Sequence, residues 1–299
     1  MIMKFDDAPL RFLIKFDLTE QLVHEFFPVL DEETVGMTLS GAAEKAGFSE
    51  QKKADLQKAL QETTEKFNKI TVKEAMEFGP DTDINSGQMN WGTPEKKEIC
   101  VSYLEKKYAG RTGEIVFYGP SNITLWHSLE RDMRPWKAQN HGMGGCTDED
   151  MMHYADRLLY PFEPKAVFFQ TGSNDLAMGF TLEQVLANKR KMYTEFLEKM
   201  PQANLIVMSG LPLPGRVEFW KATEETNHHL EKMCEEFDRL YFMDSSHIMM
   251  SNTGEEKYRY EDGRYFRPEL FRQDRIHLNV RGHEEWTKLM KEMLVKLGL

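Results

Sequence analysis

The chain has 299 residues, 40% of them apolar and 29% charged, and its formal net charge is −11. This composition provides a normal globular core, and the acidic balance disfavours nucleic acid or an anionic membrane as the main partner, because either would require a basic face. The three cysteines lie far apart and belong to no Cys-x-x-Cys or Cys/His cluster. We therefore expect no structural zinc, no disulfide framework and a reducing compartment.

The N-terminus carries no recognisable targeting or membrane-spanning signal. Residues 1–7 lack the basic region and long apolar core of a signal peptide, and the early apolar run at 12–14 is far too short to cross a bilayer. We expect a cytoplasmic protein without stable membrane insertion.

Residues 1–95 differ in character from the rest and are predicted to form a small helical region. Apolar residues at mixed helical spacing predict a helix over 18–30, and Ser49 is a candidate N-cap for a stronger helix that runs to residue 70. A short helix is expected at 71–78. The turn-forming residues at 79–87 mark a boundary or a loop draped over the main domain.

Residues 96–299 are predicted to form an α/β domain. A helix over 95–108 leads into five short apolar strands separated by helical patterns, which implies a three-layer sandwich with a five-stranded parallel sheet. The predicted strands are 115–118, 137–140, 166–171, 204–209 and 240–243, and the predicted helices between and after them are 123–133, 148–159, 182–200, 217–237 and 281–297.

The first strand ends abruptly in Gly119-Pro120-Ser121. A serine there lies at the carboxyl end of a parallel strand, where open α/β sheets bind their ligands. Ser121 is a candidate nucleophile if a base takes its proton. The alternative is that Ser121 only caps the helix that follows.

Two further loops at the same sheet edge carry candidate donors. Three glycines lie between Asn140 and Thr147, so backbone N–H groups can turn toward a ligand, although a plain turn explains them equally well. In Gly172-Ser-Asn-Asp, the Asn174 amide is a candidate oxyanion donor and Asp175 a candidate anchor for the loop. A simple Gly/Asn/Asp turn is the alternative.

The last loop holds a candidate base. Asp274 precedes His277 by three residues, and such a carboxylate can fix the tautomer of an imidazole and stabilise its protonated form. His283 falls in the last helix and is expected to be structural. His141, beside the glycine-rich loop, is the one competing base.

These four blocks, in this order, resemble the SGNH/GDSL hydrolase family over about residues 114–299. The resemblance implies a flavodoxin-like SGNH hydrolase fold and a serine esterase that needs no metal or organic cofactor. It assigns Ser121 as nucleophile, His277 and Asp274 as the rest of the triad, and the N–H groups of Ser121 and Gly145 with the Asn174 side chain as the oxyanion hole. Pro120 departs from the family, which usually has aspartate at that position.

Three hypotheses for the function remain open. The resemblance favours a short-acyl esterase acting on an acetylated carbohydrate or small molecule. A lipid-directed esterase, lysophospholipase or thioesterase is the second, and a non-catalytic binding protein on the same scaffold is the third. Aromatic and arginine residues before the last loop, chiefly Tyr258, Tyr265 and Arg267, are candidates for a substrate rim or for an ordinary packed loop. The sequence leaves open whether the protein forms a homo-oligomer.

Overall fold

The computed structural model describes residues 10–13, 17–28, 30–31, 33–69, 94–272 and 274–299. The chain divides into two units, Met1–Met89 and Asn90–Leu299. The helix predicted at 71–78 and the turn-rich stretch at 79–87 lie outside the described residues, and the domain boundary after residue 95 stays a prediction.

The first unit is built from helices around its own apolar cluster. Leu22, Leu39, Leu56 and Leu60 are buried there. The hydroxyl of Ser49 accepts a hydrogen bond from the backbone N–H of Lys52 at 3.3 Å, so Ser49 caps its helix as predicted. The described helices of this unit are Leu10–Leu13, Asp17–Phe26, Leu39–Lys45 and Glu50–Lys69, with a short 3-10 helix at Thr34–Gly36.

The second unit contains the predicted five-stranded parallel sheet. The strands follow the order β2-β1-β3-β4-β5, so β1, which leads to Ser121, lies inside the sheet between β2 and β3. All four pairings are parallel, and the carboxyl ends of the strands therefore share one edge. The strands are β1 (Ile115–Gly119), β2 (Ala138–Gly142), β3 (Ala166–Phe169), β4 (Asn204–Met208) and β5 (Leu240–Met243).

Alternating residues of the central strands face two apolar cores. Val116 and Phe169 belong to one cluster, whereas Phe117 and Phe168 belong to the other and stack with ring centroids 4.8 Å apart. Both faces are covered, which explains why the strands are almost continuously apolar in sequence. The helices of this unit are Pro94–Lys107, Ser121–Thr124, Leu129–Asp132, Asp148–Leu158, Ser173–Ala177, Leu182–Lys199, Trp220–Cys234 and Val280–Lys296.

The helix expected over 123–133 is instead two short helices, Ser121–Thr124 and Leu129–Asp132. The Asn140 amide donates to the carbonyls of Ile123 at 2.7 Å and Trp126 at 3.0 Å. Those carbonyls are captured from outside the helix, and the chain leaves the helical path between the two pieces. Local propensity alone did not indicate this break.

Two more features were absent from the sequence-based prediction. The stretch Pro214–Phe219 is a 3-10 segment that precedes the helix Trp220–Cys234, so the helix starts later than residue 217. A small antiparallel sheet pairs β6 (Met250–Ser251) with β7 (Tyr265–Phe266). In the parts of the chain that the structure describes, no helix is long and apolar enough to cross a membrane.

Candidate active site

Ser121 lies just beyond the carboxyl end of β1, as predicted. A side chain on Gly119 would lie 2.6 Å from the carbonyl oxygen of Gln170, so β1 and the end of β3 approach too closely there for any residue but glycine. The carbonyl of Pro120 accepts hydrogen bonds from Ile123 at 2.9 Å and Thr124 at 3.1 Å. Proline therefore starts the helical turn with its backbone oxygen and fixed φ, without the carboxylate of the family pattern.

The structure brings Ser121, His277 and Asp274 into one hydrogen-bonded line. The Ser121 Oγ is 2.7 Å from His277 Nε2, and His277 Nδ1 is 2.5 Å from Asp274 Oδ2. A carboxylate can only accept, so Nδ1 carries the proton and Nε2 is left to accept from the serine hydroxyl. This is the arrangement that a serine nucleophile and its base require.

The Asp274 carboxyl is held in its charged form. Burial acts to raise its pKa, but the side-chain hydrogen bond and electrostatic attraction of His277, with the backbone N–H groups of His277 and Ile276, outweigh burial and bring the pKa of Asp274 to about 2. Its second oxygen accepts from the backbone N–H groups of Ile276 and His277, each at 2.9 Å. The carboxylate therefore stays fixed and negative beside the imidazole.

Asn122, which the sequence analysis did not single out, joins the two halves of the site. Its side-chain oxygen accepts from the backbone N–H of Leu278 at 2.8 Å, and its carbonyl is 3.1 Å from His283 Nε2. His283 is buried and stacks on Trp126 with ring centroids 5.0 Å apart. His283 thus has the structural role expected of it.

The glycine-rich loop after β2 packs tightly on the turn at residues 120–124, which we call the serine turn. A side chain on Gly142 would lie 2.1 Å from the backbone nitrogen of Thr124. Asn140 Oδ1 accepts from the Gly142 N–H at 2.9 Å, so the asparagine that holds the serine turn also shapes this loop. Gly145 adopts φ 71°, a conformation that favours glycine.

Asn174 lies on the short helix Ser173–Ala177 after β3. The residue before this helix, Gly172, has φ 108°. Asn174 Nδ2 donates to the carbonyl of Cys146 at 3.0 Å, and its Oδ1 accepts from Arg216 Nη1 at 3.2 Å. Arginine only donates, so this contact fixes which end of the amide is the oxygen. One amide hydrogen is used by Cys146, and the second is left for a ligand.

Arg216 is a further site residue that sequence reasoning missed. Besides Asn174, its Nη1 contacts the carbonyl and the hydroxyl of Ser173 at 3.1 and 2.8 Å. The preceding Gly215 donates to the carbonyl of Arg275 at 2.9 Å, and a side chain on Gly215 would lie 2.5 Å from the Asp274 carbonyl oxygen. The loop after β4 is thereby joined to the loop that carries Asp274 and His277.

Asp175 anchors its loop through a buried cluster of charged groups. Its Oδ1 accepts from the backbone N–H of Asp148 at 3.1 Å, and Lys189 Nζ lies 3.1 Å from Asp148 Oδ1. Lys189 also contacts the hydroxyl of Thr171. Burial first, and then the negative charge of Asp148, raise the pKa of Asp175 to about 6. The cluster ties together the loops that carry Gly145 and Asn174.

His141, the competing base, belongs to the core. It is fully buried in β2, its Nε2 is 2.9 Å from Gln139 Oε1, and burial lowers the pKa of its imidazole to about 4. The ring stacks on Tyr108 with centroids 4.9 Å apart. These contacts make His141 a neutral packing residue.

The three residues proposed for a substrate rim have different surroundings. Tyr258 lies under the guanidinium of Arg275, 5.7 Å from ring centroid to carbon, and so adjoins the loop that carries Asp274 and His277. Tyr265 belongs to β7, and Arg267 donates to Glu269 at 2.9 Å and to the carbonyl of Ile248 at 2.9 Å. The last two contacts stabilise the region around the small antiparallel sheet, and a rim role stays a prediction.

Among the described residues, no group of three or more His, Cys, Asp or Glu side chains has an arrangement suited to a metal ion. The chemistry available from the described side chains at this edge is that of a hydroxyl, an imidazole, a carboxylate and several hydrogen-bond donors.

The chain resembles known proteins in both sequence and fold. It is 26% identical over 188 residues to platelet-activating factor acetylhydrolase IB subunit alpha1 of Bos taurus, covering 62% of this chain and 76% of that protein. A solved structure from Streptococcus pneumonia, named as a platelet activating factor, has a TM-score of 0.58 at 16% identity, covering 72% of this chain and 100% of that chain. A GDSL-like lipase from Bacteroides thetaiotaomicron has a TM-score of 0.51 at 18% identity, covering 64% and 98%.

The structural neighbours share the fold that the sequence predicted. The family model of the GDSL-like lipases and acylhydrolases matches residues 109–285, which is more than half of the chain and includes all five parallel strands and the four loops described above. The chain therefore belongs to the GDSL-like Lipase/Acylhydrolase family.

Proposed function

We propose that this protein is a serine esterase that hydrolyses carboxylic esters through an acyl-enzyme. The observation that carries the proposal is the unbroken line from Ser121 Oγ through His277, at 2.7 Å, to Asp274, at 2.5 Å. Family membership supports acyl ester hydrolysis in general, and this line supplies a nucleophile and a base in contact.

In the first half of the reaction, Ser121 Oγ bonds to the ester carbonyl carbon while its proton moves to His277 Nε2. Asp274 remains ionised, because its pKa is about 2, and stabilises the imidazolium. The tetrahedral intermediate then expels the alcohol, whose oxygen takes the proton from Nε2. The product of this half is an ester of Ser121.

In the second half, water attacks the acyl group and gives a proton to His277. The acid leaves as Ser121 Oγ recovers the proton from Nε2, so the enzyme returns to its starting state. Every proton moves between Ser121, His277, water and the leaving alcohol, and the proposed steps call for protein groups and water alone.

The proposed oxyanion donors are the N–H groups of Ser121 and Gly145 and the Asn174 amide. Ser121 is the first residue of a helical turn, and such an N–H has no partner within the helix. Arg216 and Cys146 orient the Asn174 amide. These donors would stabilise the negative charge that develops on the carbonyl oxygen.

We propose a short acyl group, in the first instance acetyl, carried by a carbohydrate or another small molecule. The relative from Bos taurus is named an acetylhydrolase, which supports the acetyl group. The carbohydrate or small-molecule carrier rests on the family resemblance of the sequence. A lipid-directed esterase is the second candidate, because two large apolar side chains are exposed beside the site. Met178 is 55% exposed and follows the helix that carries Asn174, and Val217 is 43% exposed and follows Arg216.

The proposal can be tested by labelling with a fluorophosphonate probe and by turnover of p-nitrophenyl acetate. We expect the wild type to be labelled and active, and Ser121→Ala to lose both properties. Ser102→Ala, on the helix Pro94–Lys107, is the matched control and should keep both. Labelling of Ser121→Ala at the wild-type level would reject the nucleophile, and an unreactive wild type would favour a non-catalytic binding protein.

The acyl group can be tested with p-nitrophenyl acetate, butyrate and octanoate. The acetyl proposal expects kcat/KM to fall as the chain lengthens. A rise toward octanoate, lost in Met178→Ser and Val217→Ser variants, would instead support the lipid-directed candidate.

A further inference from the structure

Arg216 lies at the edge of the sheet that holds the catalytic groups, on the loop between β4 and the helix Trp220–Cys234. Its φ of −142° and ψ of 40° interrupt the 3-10 segment. The close approach of Gly215 to the Asp274 carbonyl keeps this loop against the loop that carries Asp274 and His277. Arg216 is therefore positioned by the backbone on one side and by Ser173 and Asn174 on the other.

A single nitrogen of the Arg216 guanidinium, Nη1, donates all the hydrogen bonds that the structure shows for this group. Arginine has five N–H donors in a rigid fork. Within the described part of the chain, Nε and Nη2 have no acceptor, and no carboxylate lies at ion-pair distance from this side chain. One end of the fork is thus engaged and the rest is available.

Arg216 lacks a carboxylate partner among the described residues, although the chain has 49 acidic and 38 basic residues. Several other arginines bind carboxylates directly, as Arg157 does with Glu98 at 2.8 Å and Arg190 does with Glu236 at 2.8 Å. Near Arg216, the Asp274 carboxylate is already used by His277 and two backbone N–H groups. The Arg216 charge is left without a direct counterion.

The Arg216 side chain is also partly buried. Burial lowers the pKa of the guanidinium, and the charges of Asp274 and Glu218 raise it only in part. A positive charge that has lost hydration without gaining a counterion is stabilised by an incoming anion. Two nearby carboxylates already supply negative potential, so a single negative charge matches the site better than a double one.

We propose that Arg216 recognises a carboxylate on the ester substrate, so that the preferred substrates are esters that carry one negative charge. The inference rests on the proposed esterase function and adds the chemical class of its substrate. The engaged Nη1 holds the fork beside Asn174, and the open Nε and Nη2 donate to the two carboxylate oxygens side by side. The net charge of −11 repels an anion at long range, so a local cation at the site favours its binding.

The test compares esters with a carboxylate and their isosteric neutral amides. One pair, p-nitrophenyl hemisuccinate and p-nitrophenyl succinamate, places the charge on the acyl side. The other pair, acetoxyacetate and 2-acetoxyacetamide, places it on the alcohol side. We expect the wild type to prefer the carboxylate over the amide in at least one pair. The pair that shows this preference identifies whether Arg216 binds a carboxylate on the acyl side or on the alcohol side of the ester.

In Arg216→Gln, the ratio of kcat/KM for the carboxylate to that for the amide should fall by about 10- to 100-fold, as expected when a charge-assisted pair is lost. Arg216→Lys should keep only part of the preference, because the fork is lost. Any loss of Asn174 orientation affects both members of a pair and cancels in the ratio. Arg190→Gln removes one exposed charge elsewhere and should leave the ratio unchanged.

An equal rate for carboxylate and amide in the wild type, or an unchanged ratio in Arg216→Gln, would overturn the inference while the esterase proposal stands. The inference would also be rejected if the protein cleaves none of the four esters but still reacts with the fluorophosphonate probe. In that case Ser121 remains the proposed nucleophile. Failure of both turnover and labelling would reject the proposed function and this inference together.

Discussion

The Asn122 side chain accepts a hydrogen bond from the backbone N–H of Leu278 at 2.8 Å, and so joins the residue after the candidate nucleophile to the residue after the candidate base. Ser121 and His277 are 156 positions apart in the chain. A bond between their immediate neighbours limits how far the serine turn and the histidine loop can separate. Pre-organisation of this kind sets the distance between nucleophile and base.

Replacing Asn122 by alanine should therefore lower the catalytic rate by more than its loss of folding stability would explain. We expect kcat/KM on p-nitrophenyl acetate to fall on the order of 10²-fold, and the free energy of unfolding to fall by about 1–3 kcal/mol. Asn227→Ala is the matched control, since Asn227 bonds the Gly210 backbone at 2.7 and 3.0 Å. It should lose similar stability in urea denaturation and keep its kcat/KM. Equal kinetic losses in both variants would refute a specific role for Asn122.

The oxyanion role proposed for Asn174 predicts a change in kcat rather than in KM. Asn174→Ala should lower kcat by about 10²- to 10³-fold, because the donor acts on charge that develops only in the transition state. Asn174→Asp should be at least as impaired, since it places a carboxylate where a donor is needed. Steady-state kinetics measure both constants, and a loss confined to KM would argue for ground-state binding instead.

The buried Asp175 predicts a pH-dependent stability. Its pKa of about 6 in the folded protein lies above the ordinary value of 3.8, so the folded state binds the proton more tightly than the unfolded state. The charged form therefore costs stability, fully above pH 6 and hardly at all below pH 4. Asp175→Asn keeps the oxygen that accepts from Asp148 and removes the charge.

We expect the free energy of unfolding of Asp175→Asn, relative to the wild type, to rise with pH between about 4 and 6, by up to about 3 kcal/mol. Urea denaturation across this range measures the difference. Asp156→Asn, at an exposed position of the helix Asp148–Leu158, controls for the loss of one carboxylate. A difference that is flat or falls with pH would contradict the proposed charge cost.

The close contact between Gly142 and the serine turn predicts a severe effect of one methyl group. In Gly142→Ala the new carbon would meet the Thr124 nitrogen at 2.1 Å, so β2 or the serine turn must move. We expect a loss of at least about 2 kcal/mol of stability and a large loss of activity. Gly41→Ala, where the nearest atom is 3.5 Å away, should be tolerated. Thermal denaturation compares the two, and a neutral Gly142→Ala would disprove the close packing.

Much of the fold could be predicted because each strand is a short apolar run bounded by turn formers. The five strands lie within one or two residues of their predicted positions, since both faces of the sheet are buried and leave a continuous apolar signal. The helix predicted over 123–133 was wrong because Asn140, which belongs to the neighbouring strand, takes two of its carbonyls. No local pattern contains that information.

Site residues were predictable to different degrees for a related reason. Ser121 and Asn174 follow recognisable turn signals at strand ends, and His277 follows Asp274 in the loop before the last helix, so these loops could be assigned to one edge. Arg216 lies in an irregular Pro-Gly-Arg stretch with no periodicity, and its meaning comes only from its contacts with Ser173 and Asn174.

The order of residues along the chain was enough to specify an alternating α/β domain, its apolar strands and the glycines that end them, because these depend on local periodicity and turn chemistry. The distances from Ser121 to His277, the neutral core environment of His141 and the direction of the Asn174 amide depended on packing. These properties arise where segments far apart in the chain meet at one sheet edge, and hydrogen-bond partners and burial exist there only once the strands have paired.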